Sequence, residues 1–189
     1  MLGFLKTDTD VGYYNAAVKI KSILVSIVTS LGVVLLPRAS YYIEHRQQSK
    51  FFNVSEKALN FVCLLSIPLM VYFILFAKEG ILFLSGAAYL PAILPMQIIM
   101  PTLLLIGLTN IMGMQMLVPL GKEKIVLYSE IVGAILNLSL NILLIPHYSC
   151  SGAAFGTLAA EFSVFLIQFL VLKKILLKCI VPYQCFLSF

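Results

Sequence analysis

Blocks of about 20 apolar residues, separated by short stretches that carry most of the charges, set the strongest limit on how this chain folds. As a helix rising ~1.5 Å per residue, such a block is long enough to cross ~30 Å of hydrocarbon. Spanning strands would alternate apolar and polar residues, and these blocks do not, so helices are favoured over a barrel. Of the 189 residues 61% are hydrophobic and 11% are charged, against roughly a quarter charged in soluble domains. The sequence therefore predicts an all-α membrane protein with about five transmembrane helices.

The expected spans are residues 16–37, 58–77, 93–118, 125–145 and 153–172, together a helical lobe over 16–172. Tyr13 and Tyr14 precede the first span, and Tyr41 and Tyr42 follow it, as interfacial aromatic belts do. Pro68 and Pro101 predict kinks in the second and third spans, and the apolar piece 81–90 is too short to cross. Residues 1–15 read as the external end of a preceding helix and a loop, and 173–189 as a cytoplasmic or interfacial tail. MLGFLK resembles the exit of an earlier helix, and an odd number of spans with an external start predicts a fragment. Arg38, Arg46, Lys50, Lys57, Lys122, Lys124, Lys173, Lys174 and Lys178 fall on one side, which is then cytoplasmic. The chain would start outside and end inside.

The net charge of +5 does not point to nucleic acid, because the cations flank apolar blocks instead of clustering on a polar segment. Cys63, Cys150, Cys179 and Cys185 have neither metal-ligand nor disulfide-framework spacing and read as free thiols. No nucleophile and base pair, phosphate-cradling glycine loop or cofactor motif is present, so nothing in the sequence argues for an enzyme.

Polar residues inside hydrocarbon are costly, which makes them the most informative positions. At 100° per residue Asn15, Lys19, Ser22, Ser26, Thr29 and Ser30 share an arc of the first helix, whereas Lys21 points away and reads as an external anchor. Two readings stay open. The stripe lines a water-filled cavity, or its hydroxyls bond their own helix while Lys19 snorkels. On the fourth helix Glu130, Gly133, Asn137 and Asn141 share a face, suited to interhelical hydrogen bonds or to water. On the fifth, Thr157, Glu161 and Gln168 lie together, and Gly152, Gly156 and Ala160 form a small-residue packing ridge. In the third, Gln97, Pro101 and Gln115 align beside Asn110, at either a static kink or a hinge.

The stretches VGYYNAAVKIKSI and LGVVLLPRAS resemble a helix opening in the second half of bacterial polysaccharide flippases of the multidrug/oligosaccharidyl-lipid/polysaccharide exporter superfamily. LFLSGAAYLPAILPMQIIMPTLLLIGLTNIMGMQMLVPLGKEK is similar to that family's external elbow, next helix and basic turn, and GAILNLSLNILLIPHYSCSGAAFGTLAAEF to its next helix pair. The resemblance covers residues 3–172 and departs after Leu172. It implies most of the second lobe of a two-lobe exporter that moves lipid pyrophosphate-linked oligosaccharide repeat units across the bacterial cytoplasmic membrane for surface polysaccharide. The implied partners are that lipid-linked oligosaccharide, membrane lipids and an N-terminal lobe outside these residues, with no nucleic acid and no cofactor. The implied cavity residues are Lys19, Ser22, Ser26, Gln97, Gln115, Asn137, Asn141 and Glu161, with Lys19 meeting the pyrophosphate. The alternatives are a cation-coupled small-molecule or drug exporter of the same superfamily, with Glu161 as the coupling carboxylate, and a non-functional truncated membrane protein.

Overall fold

The structure is a computed structural model. It describes the backbone of residue 3 and residues 6–186, and their side chains apart from 31, 33, 34 and 175–186. Most of the expected helix exit in MLGFLK, and the side chains of the tail cysteines Cys179 and Cys185, lie outside what is described.

Helix α1, Asp8–Glu44, is 37 residues long and extends past its apolar block at both ends. Thr7 caps it by accepting from the Asp10 N–H, while Asp8 and Asp10 place negative charge at the positive end of the helix dipole. It ends where Arg46 adopts a left-handed backbone (φ 56°), and α2, Gln48–Leu75, returns beside it. Both helices bury one stripe. Ala17, Ile20, Leu24 and Val28 of α1 meet Ala58 and Val62 of α2 at intervals of three and four. The opposite face of α2 is apolar and open, with Leu64 73% exposed, as a helix facing lipid should be, whereas that of α1 carries Asn15, Lys19, Ser22 and Ser26.

After α3, Ala77–Ser85, and a 3-10 turn, Ala87–Ala92, the expected third span does not run as one helix. It divides into α4, Ile93–Ile99, and α5, Thr102–Thr109, with a 44° bend between the segments that flank Met100 and Pro101. Pro101 lacks the N–H that would continue the ladder, which places the break there. From Asn110 to Leu117 the backbone then follows a π-helix.

The last element, α6, is Glu123–Phe186, but Ser149 (φ 47°, ψ −126°) breaks it into arms of residues 123–148 and 150–186. The arms pack antiparallel. Gly133 meets Val164 and Ala160, Gly156 meets Asn141, Gly152 meets the Leu144 carbonyl, and Gln168 bonds Ser129. Three helices pass as membrane-crossing by length and apolarity, four with the bent pair included. Residues 123–174 would reach ~78 Å if straight, too long for one crossing. Folded at Ser149 they provide two, so the architecture is all-α and multi-pass.

Candidate functional site

An open cavity of about 680 Å³ lies between the N-terminal half of α1 and the two arms of α6. Its polar lining is Tyr14 and Asn15 from α1, Glu130, Asn137 and Asn141 from the first arm, and Thr157 and Glu161 from the second. The spacing explains the convergence. Residues 130, 133, 134, 137, 138 and 141 recur every three or four positions, as do 153, 157, 160, 161 and 164, so each arm turns one stripe inward.

Small residues bring the arms together. A Cβ at Gly156 would stand 2.5 Å from Asn141 Oδ1, and one at Gly152 would stand 2.6 Å from the Leu144 carbonyl oxygen. Close approach is what small residues provide between helices in lipid, where no hydrophobic force drives them together. Asn141 Nδ2 donates to Asn137 Oδ1 at 2.7 Å, joining the two asparagines one turn apart. Asn141 Oδ1 is buried without a hydrogen-bond partner. At the tip of the hairpin, Thr157 donates to the Ala153 carbonyl, so the Tyr14 hydroxyl donates to Thr157 Oγ1, at 3.0 Å. Val11, Tyr13 and Tyr14 also pack on Ile145, Cys150 and Ala153, closing α1 onto the hairpin.

The residues singled out in the sequence fall into three places. Asn137, Asn141 and Glu161 line the cavity together. Lys19, Ser22 and Ser26 are exposed along α1, starting one turn beyond Asn15. Their hydroxyls are internally satisfied: Ser22 donates to the Val18 carbonyl and Ser26 to that of Ser22. Gln97 and Gln115 lie elsewhere. Gln97 Nε2 donates to the Ile74 carbonyl at 3.0 Å, and buried Gln115 pairs with Asn110 against Gly32. Gln168, grouped with Glu161 by helical angle, is also interior and bonds Ser129. Lys21 differs from the reading as an anchor: it is half-buried and within Coulombic reach of Glu161. Sequence reasoning missed Tyr14 as a cavity residue, since its tyrosine pair also fits an interfacial belt.

Burial, followed by the nearby Asp10 carboxylate, pushes up the Cys150 thiol at the turn between the arms. Among the described residues no three His, Cys, Asp or Glu side chains gather as a metal site.

A family model described as "Polysaccharide biosynthesis protein" matches residues 1–94, from α1 to the start of α4. A putative O-antigen transporter of Escherichia coli is 27% identical over 161 residues, covering 85% of this chain and 39% of the relative. A probable low-salt glycan biosynthesis flippase of Haloferax volcanii is 24% identical over 164 residues, 87% of this chain and 34% of the relative. The chain is thus similar to polysaccharide biosynthesis proteins and flippases. An uncharacterized membrane protein of Methanocaldococcus jannaschii is also similar to this chain, at 29% identity over 164 residues, 87% of this chain and 32% of the relative. The chain thus spans about a third of the length of these curated relatives. No solved structure matches it.

Proposed function

We propose that this chain forms part of a flippase that carries lipid-linked, pyrophosphate-bearing oligosaccharide units across the cytoplasmic membrane for surface polysaccharide synthesis. The observation that carries the reading is the polar cavity inside an otherwise lipid-facing bundle, with Asn15, Asn137, Asn141 and Glu161 turned into it. Amides and a carboxyl are costly in hydrocarbon unless they meet protein, water or a polar ligand. The exposed face of α1 continues from that cavity through Lys19, Ser22 and Ser26, and Lys19 supplies the cation that a pyrophosphate requires. The lipid tail stays in the bilayer. Lys122 and Lys124 belong on the cytoplasmic side and Tyr148 outside, following the asymmetry of the cations. A second lobe, which these residues do not supply, completes the passage.

The chain is purified from cells that make such lipids, and the bound lipid is identified by mass spectrometry. Enrichment of a diphosphate-linked glycolipid over the bulk membrane, lost in Lys19→Gln and kept in Lys19→Arg, is expected. Bound lipid with the composition of the bulk membrane refutes the reading. A cation-coupled exporter is the second reading, favoured by Glu161 and Glu130 lining one cavity. It requires that small-molecule export, and not glycolipid binding, fail in Glu161→Gln.

A further inference from the structure

The cavity between α1 and the α6 hairpin offers three amides, a phenol, a hydroxyl and two carboxyls, and among its described lining residues none is Lys, Arg or His. Amide and carboxyl groups pair well with the neighbouring hydroxyls of a sugar ring, which both donate and accept. A tyrosine gives an apolar ring surface with a polar tip, which suits the mixed faces of a saccharide. The volume of about 680 Å³ is in the range of small-ligand sites, about 300–1,000 Å³.

An anion fits this lining poorly. Taken out of water, a phosphate or carboxylate needs a cation or several donors, and the lining supplies two further carboxyls instead. Lys21 lies within Coulombic reach of Glu161 without lining the cavity. Lys19 lies one helical turn, ~6 Å, beyond Asn15 on the exposed side of α1. Resting on the flippase reading, we infer that the cavity is the subsite for a non-acidic sugar of the lipid-linked head group, while the diphosphate is held outside it at Lys19. The head group is thereby split by charge, and a uronic acid at the subsite position is rejected.

The test uses the chain in lipid nanodiscs and three probes: farnesyl diphosphate, the same carrier bearing N-acetylglucosamine, and the same carrier bearing glucuronic acid. The N-acetylglucosamine probe is expected to bind about tenfold tighter than either of the others. Replacing Asn137 and Asn141 by Leu together should remove that gain and leave the affinity for farnesyl diphosphate unchanged. Asn15→Leu, which does not alter the hairpin packing, should have the same effect if the double variant unfolds. Lys19→Gln should weaken all three probes. Equal affinity with and without sugar, or preference for glucuronic acid, overturns the subsite and leaves the diphosphate reading standing. Binding of none of the three overturns both.

Discussion

Adding a single methyl group at Gly152 should separate the arms of α6. A Cβ there would lie 2.6 Å from the Leu144 carbonyl oxygen, 2.7 Å from the Leu144 carbonyl carbon and 3.1 Å from the Ile145 nitrogen. All three are backbone atoms of the opposing arm, so no side chain can rotate away. Ordinary contact begins at 3.4 Å, so the first arm must retreat by about 0.8 Å or bend. Overpacking of this kind costs typically about 1–3 kcal/mol, and the backbone partners place Gly152→Ala at the upper end. Gly113→Ala is the matched control, because its Cβ would meet the end of the Gln168 side chain at 2.9 Å, a group that can move. Unfolding in mixed micelles, titrated with a denaturing detergent, gives both free energies. The expectation is a loss of about 2–3 kcal/mol for Gly152→Ala, within the overpacking range, and a smaller loss for Gly113→Ala. Because the arms carry opposite walls of the cavity, Gly152→Ala should also impair ligand binding. A loss below about 0.5 kcal/mol, the usual scatter of surface substitutions, or a greater loss for Gly113→Ala, refutes the close antiparallel packing of the arms.

The buried pair formed by Gln168 and Ser129 should respond asymmetrically in the same titration. Ser129→Ala leaves Gln168 Nε2 unpaired and should cost about 1 kcal/mol, whereas Gln168→Leu also removes the unpartnered Oε1 and should cost less. Tyr14→Phe removes the donor to Thr157 Oγ1 and should cost about 0.6 kcal/mol, the mean for such bonds between membrane helices. Cys150, 8% exposed with its thiol pushed up by burial and then by Asp10, should react slowly with maleimide at neutral pH. Its thiolate fraction is low below the raised pKa, so the rate should climb as pH rises through it, and Asp10→Asn should hasten the reaction at a fixed pH. In intact cells Tyr148→Cys should react with an impermeant thiol reagent and Lys122→Cys should not; the reverse would invert the orientation.

Much of this arrangement is legible in the sequence because it follows from helical periodicity. Glu130, Gly133, Asn137 and Asn141 share a face by spacing alone, and that face lines the cavity. The ridge of Gly152, Gly156 and Ala160 is similarly readable, since small residues at intervals of four leave little choice but helix packing. Periodicity gives angles about one helix, however, and says nothing of which angle meets which neighbour. Lys19 and Lys21 are therefore separable by angle, yet only packing shows that Lys21 is half-buried toward Glu161. Gln97 and Gln115 also align on paper. The bend at Pro101 and the π-helix from Asn110 disrupt the constant 100° step, so one bonds the Ile74 carbonyl and the other pairs with Asn110. The small side of Gly32 that receives this pair is set by tertiary contact and has no local signature.

Photocrosslinking in the membrane tests most directly whether the α6 cavity receives a glycolipid. A benzophenone amino acid replaces Leu138, which lines the cavity and is 52% exposed, or Leu64, which is 73% exposed on α2. In cells making diphosphate-linked oligosaccharide, irradiation should give a glycan-bearing adduct at position 138 and only ordinary lipid adducts at position 64. Ordinary lipid alone at position 138, or glycan adducts equally at both, would contradict the account.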